Sequence, residues 1–194
     1  MTIKSIRTGW TGISALAGND QWFSDFESIA SVAVTDSGGV TEVNFTNIPT
    51  TYTHLQIRGI WKPRTTSQWT YFRFGNAGTI DTAANYSYHG LLGNGSTAYA
   101  EAVSGASATA MNLAYSNNTT YFANFIVDIL DYANNNKYKT TRALAGFDGN
   151  GSGILGLVSN SWRSLNATTD IRIFVDTANN ISQHSHFALY GIRG

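Results

Sequence analysis

The sequence has no cysteine, only two prolines and few charges, and each shortage excludes a class of protein. Without cysteine, neither disulfides nor thiolate metal sites hold the chain together, so its stability depends on packing, hydrogen bonds or neighbours. Charged residues make up 12% of the chain, with 12 Lys+Arg and 12 Asp+Glu. Such sparse, balanced charge lacks the basic surface that binds nucleic acid. No apolar run approaches the roughly 18 residues of a membrane-spanning helix, so we expect no membrane insertion.

Glycine and aromatic residues are abundant instead. The 194 residues include 19 Gly, 10 Tyr, 10 Phe and 5 Trp. Together with many Asn, Ser and Thr, this mixture favours strands joined by tight turns over long helices. The length suits one domain with a substantial core.

Residues 40–61 determine the expected fold class. Val43 and Phe45, then Leu55 and Ile57, alternate with polar residues. This period of two is typical of strands with one buried face. We therefore predict an all-β protein, a jelly-roll-like antiparallel β-sandwich over residues 27–194.

Similar patterns separated by turn residues recur along the chain and predict about ten strands, eleven when the weaker segment 97–103 is counted. They cover residues 28–35, 40–46, 55–61, 68–75, 86–93, 97–103, 121–130, 138–147, 154–162, 170–176 and 184–192.

Three of these segments carry more specific expectations. The first two strands are expected to pair as a hairpin across the Asp-Ser-Gly-Gly turn at residues 36–39. Residues 104–120, rich in Ala, Ser, Thr and Asn, are expected to form a loop with at most one short strand. Residues 121–130 are apolar at both parities, which predicts a central strand covered on both faces.

Residues 1–26 differ from the rest and predict an extended arm. Their apolar residues follow neither the helical nor the strand period, and large rings are costly to leave in water. The arm therefore packs either on its own sandwich or on another subunit or protein, and we favour the second. The residues expected to anchor it are Trp10, Ile13, Leu16, Trp22, Phe23 and Phe26.

The ionisable residues predict no catalytic site. Asp128 and Asp131 flank the end of an apolar segment, where a carboxylate that caps a loop or meets Arg142 is the ordinary explanation. His184 and His186 would share a strand face, as two metal ligands do, but no third ligand is visible. We therefore assign no catalytic residue, no metal site and no cofactor.

Residues 148–153 imitate the start of a calcium loop. Oxygen-bearing side chains stand at its first, third and fifth positions and glycine at its sixth, but Ser159 stands where the bidentate acid belongs. Turn formation alone explains this segment.

Aromatic residues on or beside predicted loops are the remaining candidates for binding. Rings combined with Asn and Ser hydrogen bonds hold sugars or partner proteins, although β cores contain the same residues. The possible surface-binding residues are Trp69, Tyr71, Tyr86, Tyr88 and Trp162.

Several segments resemble a group of small virion proteins of tailed bacteriophages, including phages of cyanobacteria and marine bacteria. Each segment is moderately specific, and together they span nearly the whole chain. The segments are 14–20 (SALAGND), 26–30 (FESIA), 45–59 (FTNIPTTYTHLQIRG), 85–89 (NYSYH), 93–96 (GNGS), 129–134 (ILDYAN), 137–140 (KYKT) and 187–194 (FALYGIRG).

The resemblance implies a component of a phage particle and supplies no catalytic residue. It fits a head decoration protein on the capsid lattice, or a tail fibre or spike module that touches host surface glycans. The chain lacks the long repetitive shaft of fibre proteins, which favours decoration. We expect a homotrimer on the virion surface that binds a phage capsid or tail protein through its arm.

Overall fold

The computed structural model describes residues 25–65, 68–108, 110–116, 119–175 and 179–193, and within these ranges the chain contains strands and no helix. No helix long and apolar enough to cross a membrane therefore occurs in these ranges. The strands are β1 (Phe26–Ala33), β2 (Glu42–Phe45), β3 (His54–Trp61), β4 (Gln68–Asn76), β5 (Thr79–Ile80), β6 (Tyr86–Gly93), β7 (Ala98–Ala108), β8 (Met111–Ser116), β9 (Ala123–Leu130), β10 (Lys139–Asp148), β11 (Gly153–Trp162), β12 (Asp170–Val175) and β13 (His186–Ile192).

Two antiparallel sheets pack face to face, which confirms the predicted β-sandwich. The larger sheet has eight strands in the order β1-β13-β3-β9-β10-β11-β6-β7 and curls into a half-barrel. The smaller sheet has the order β2-β12-β4-β5, and β8 also pairs with β4. In both sheets, neighbouring strands run antiparallel.

The core lies between the two sheets and follows from the period of two. In β9 and β10 every second residue is buried. The smaller sheet contributes Phe72 and Phe74, both fully buried, and Phe74 meets Trp162 of the larger sheet edge to face at 5.7 Å. Aromatic pairs of this kind add to the stability gained from apolar burial.

The predicted hairpin between the first two strands is wrong. β1 pairs with β13 in the larger sheet, while β2 pairs with β12 in the smaller one. Residues 36–39 therefore carry the chain from one sheet to the other, and Gly39 adopts the positive φ of 72° that this connection requires. The crossing lets each strand contribute apolar side chains to the core from its own side.

The expectation for residues 104–120 is wrong in part. β8 matches the one short strand that was allowed, but β7 extends to Ala108. Met111 and Leu113 of β8 are 0% and 1% exposed and belong to the core. β9 lies in the middle of its sheet, as predicted, but its second face is not covered by the described residues. Ile126 and Leu130 are 41% and 45% exposed.

Candidate functional site

An apolar patch covers the outward face of the larger sheet at its middle strands. Its six aliphatic side chains are between 41% and 62% exposed. They are Ile60, Leu91, Ile126, Leu144, Leu155 and Leu157.

The strand register places four of these side chains in one row across the sheet. Ile126 of β9 pairs with Leu144 of β10, Leu144 with Leu157 of β11, and Leu157 with Leu91 of β6. Directly paired residues on one face of a sheet have their Cβ atoms about 5 Å apart, so the four side chains touch or nearly touch.

The patch exists because β9, β10 and β11 carry apolar residues at both parities. Their inward residues, such as Val127, Ala143 and Val158, are buried in the core. Their outward residues would be polar in a sandwich that exposes this face to water. A contiguous apolar surface of this kind is a candidate interaction site.

Glycines create an open hollow of about 590 Å³ beside the row, towards the β6–β7 and β10–β11 turns. Gly146 and Gly93 flank Leu155 in the next row of the register. A Cβ atom at Gly93 would meet no other atom within 4 Å, so this position is open to solvent. The sheet thus presents a row of large side chains beside a row containing two glycines.

Charged groups border the patch at both ends of β10. At one end the Arg142 guanidinium lies 3.3 Å from an Asp128 carboxylate oxygen, which is one of the two structural roles expected for this carboxylate. Asp128 also accepts a hydrogen bond of 2.8 Å from the Gln56 amide. At the other end, Asp148 accepts one of 2.8 Å from the backbone N–H of Asn150.

A second surface, the aromatic strip, lies on the outward face of the smaller sheet. It consists of Trp69, Tyr71, Tyr115 and Phe174, which are all partly exposed. Trp69 and Tyr115 are paired residues with ring centroids 4.9 Å apart, and Tyr71 lies 5.8 Å from Phe174. Two of the predicted surface-binding residues, Trp69 and Tyr71, are therefore brought together here.

Two arginines adjoin the strip. The Arg73 guanidinium lies 4.5 Å from the centroid of the Phe174 ring, a cation–π contact. Arg172 forms an ion pair of 3.2 Å with Glu42. Burial lowers the pKa of Arg73 from its ordinary value, yet an arginine stays charged at physiological pH. The strip thus combines ring faces with positive charge.

The other three predicted surface-binding residues lie elsewhere. Tyr86 and Trp162 are 0% and 2% exposed, so the surface role predicted for them is wrong. Both are inward residues at the start of β6 and the end of β11, and the Trp162 indole N–H donates to Asp81 at 2.8 Å. Tyr88 is partly buried and packs against the core.

Of the predicted anchoring residues, Phe26 alone lies among those described. It opens β1, and its ring stacks on Tyr190 of the same chain at 4.7 Å. The Arg58 guanidinium lies 5.3 Å from the Phe26 ring centroid. The remaining five anchoring residues and the arm up to residue 24 lie outside the described residues.

The titratable groups near Asp131 form a structural network at the end of β9. A hydrogen bond from Lys137 lowers the pKa of Asp131, and the Asp131 N–H donates to the His54 ring at 2.9 Å. His186 opens β13, whereas His184 precedes it with a φ of 71°. Across the described ranges, no three His, Cys, Asp or Glu residues are grouped so as to hold a metal ion.

Sequence reasoning missed the apolar patch, although a signal for it was present. Residues 121–130 have apolar side chains at both parities, and the next two strands repeat this in part.

Comparison with family models, curated proteins and solved structures finds no match for the chain.

Proposed function

We propose that this chain is a non-enzymatic structural protein of a tailed-phage particle, a capsid decoration protein on the virion surface. The apolar patch is the observation that supports an assembly role. The resemblance of the sequence to small virion proteins is the reason for proposing a phage particle as the assembly. In this proposal the patch is an assembly surface, and residues 1–26 anchor the chain to a capsid protein or a sister subunit.

The patch favours assembly because exposing its apolar side chains to water is unfavourable. Docking buries them and so gains free energy. Burying the exposed parts of six aliphatic side chains contributes on the order of several kcal/mol at about 25 cal/mol per Å². Repetition over many copies on a particle multiplies such attachment by multivalency.

Immunogold labelling tests the proposal. Antibodies raised against the purified chain should label the heads of phage particles from the source culture, and the chain should be found among the proteins of purified particles. Absence of the chain from purified particles would refute a virion role.

Removing residues 1–24 tests the arm. We expect a product that keeps the β-sheet circular dichroism signal and the cooperative melting of the full chain but no longer binds particles lacking the protein. An unfolded product would show instead that the arm belongs to the core.

A second candidate function, a tail module that binds host surface glycans, is favoured by the aromatic strip. Ring faces beside Arg73 and Arg172 suit sugars, which stack on aromatic rings and accept hydrogen bonds from guanidinium groups. A glycan array would show binding that Trp69→Ala and Tyr71→Ala each weaken, while Tyr138→Ala, an exposed ring outside the strip, leaves it unchanged. No binding to cells or glycans would exclude this candidate.

A further inference from the structure

We propose that the occupant of the apolar patch is a second copy of this chain, docked face to face. The two-fold axis between the copies passes over β10 at Ala145. This inference rests on the proposed role of the patch as an assembly surface and names its partner. It replaces the expected homotrimer, because a surface that complements itself calls for a two-fold axis.

The outward residues of β10 carry the argument. After Thr140, they are in order Arg142, Leu144, Gly146 and Asp148: a cation, a large apolar side chain, a glycine and an anion. An axis in the interface plane, perpendicular to the strands, reverses this order in the partner. Leu144 then faces the partner copy's glycine, and Arg142 faces the partner copy's aspartate.

On β6 the same complementarity recurs, whereas on β11 two leucines face each other. The register places Leu144, Leu157 and Leu91 in one row. Gly146, Leu155 and Gly93 form the next row, so the two-fold axis sets the first row of one copy against the second row of the other. Leu91 then faces the open position at Gly93, and Leu157 contacts Leu155.

The curvature of the sheet limits this pairing to its middle strands. The larger sheet curls around the core, so its outward face is convex and two such faces meet at their middle strands. The patch lies on those strands. Sheets that pack face to face stand about 10 Å apart, a gap that the exposed leucines fill and that the long Arg142 side chain spans.

Sedimentation of the full chain gives the first test. We expect the wild type to have twice the mass of one chain and Leu144→Lys the mass of one. Leu165→Lys is the matched control, because Leu165 lies in a loop and is 51% exposed, as Leu144 is; this variant should keep the wild-type mass. A monomeric or trimeric wild type, or a dimeric Leu144→Lys, overturns the inference.

Crosslinking tests the orientation, and the absence of native cysteine makes it unambiguous. A mixture of Arg142→Cys and Asp148→Cys chains should be joined by a short bis-maleimide reagent, which spans the roughly 10 Å between packed sheets. Either variant alone should give little product, since like positions lie six residues, about 20 Å, apart along the strands. Equal crosslinking of a single variant overturns the two-fold arrangement.

The same variants separate this inference from the proposed function. If the wild type is monomeric and Leu144→Lys fails to bind particles, the patch is an assembly surface with another occupant, and only the inference fails. If the wild type is a dimer broken by Leu144→Lys but no particle contains the chain, the proposed function fails and the dimer stands.

Discussion

At the residue scale, the buried hydroxyl of Tyr86 links the two sheets. It lies 2.8 Å from the carbonyl of Asp81 and 3.2 Å from both the N–H and the carbonyl of Phe74. Tyr86→Phe leaves these backbone groups with one partner fewer in the core. We expect it to lower the free energy of unfolding at pH 7 by about 1–3 kcal/mol, as measured by urea denaturation.

The cost of Tyr86→Phe should shrink at alkaline pH. Burial raises the pKa of Tyr86 far above its ordinary value, so above pH ~10 the unfolded chain loses this proton while the folded chain keeps it. The stabilising contribution of the hydroxyl is therefore present below pH ~10 and decreases by up to about 1.4 kcal/mol per pH unit above it. Urea denaturation between pH 8 and 11 measures the gap, and a constant gap would contradict this account.

A second residue-scale prediction concerns Asp81. Its carboxylate accepts hydrogen bonds of 2.8 Å from Trp162, 2.9 Å from the Asn85 amide and 2.9 Å from the Ala83 N–H. Asp81→Ala leaves the buried indole N–H without this acceptor, and we expect a loss of about 1–3 kcal/mol. Thermal melting checks it, with Asp36→Ala as the control at an exposed turn carboxylate.

The pH dependence of the Asp81 contribution has the opposite sign to that of Tyr86. Burial raises the pKa of Asp81, but the hydrogen bonds from Trp162, Asn85 and the Ala83 N–H, together with the charge of Arg73, outweigh this effect and lower the pKa overall. The contribution is thus present above the carboxyl pKa of the unfolded chain and is lost as pH falls through the lower folded value. Melting temperatures of wild type and Asp81→Ala should converge in acid; parallel curves would argue against the network.

At the element scale, β3 needs glycine at position 59, whereas β11 tolerates a side chain at position 156. A Cβ atom at Gly59 of β3 would lie 2.3 Å from the Phe125 ring, whereas one at Gly156 of β11 would meet Leu92 at an ordinary 3.5 Å. We expect Gly59→Ala to lower the free energy of unfolding by about 1–3 kcal/mol through overpacking. Gly156→Ala, the matched control, should be neutral or slightly stabilising. Equal denaturation midpoints for the two variants would show that Phe125 moves aside freely.

The bounds of a strand can be predicted from the sequence more readily than its pairing partner. β6 occupies the predicted residues 86–93, because a short alternating run bounded by turn residues is a local signal. The pairing of β1 and β2 was not predictable, since β1 finds β13 at the far end of the chain. Lys139 is fully buried with its ammonium group bonded to the carbonyls of Asn134 and Lys137, and no local pattern indicates this.

The candidate surfaces were predictable only in part, for the same reason. Trp69 and Tyr71 share one face by alternation alone, but Tyr115 and Phe174 join them through pairing between distant strands. In the sequence, Tyr86 and Trp162 cannot be distinguished from Trp69 and Tyr71, because all four are aromatic residues on or beside predicted loops. Only the sheet register places Tyr86 and Trp162 in the core.

At the scale of the whole molecule, the sandwich carries two different outward faces. The apolar patch lies on one sheet and the aromatic strip on the other, with the core between them. A protein that docks through the patch therefore keeps the strip accessible on the opposite side. This arrangement suits a building block that attaches by one face and presents the other to its surroundings.

Pairing through the patch also predicts that stability depends on concentration. Association that occurs only between folded chains stabilises them by mass action, so the melting temperature of the wild type should rise with protein concentration. Leu144→Lys should melt at one temperature across the same dilution series, while Leu165→Lys should follow the wild type. Differential scanning calorimetry measures all three. If the melting temperature of the wild type did not change with concentration, folding and pairing would not be coupled, because no second chain would then bury the patch.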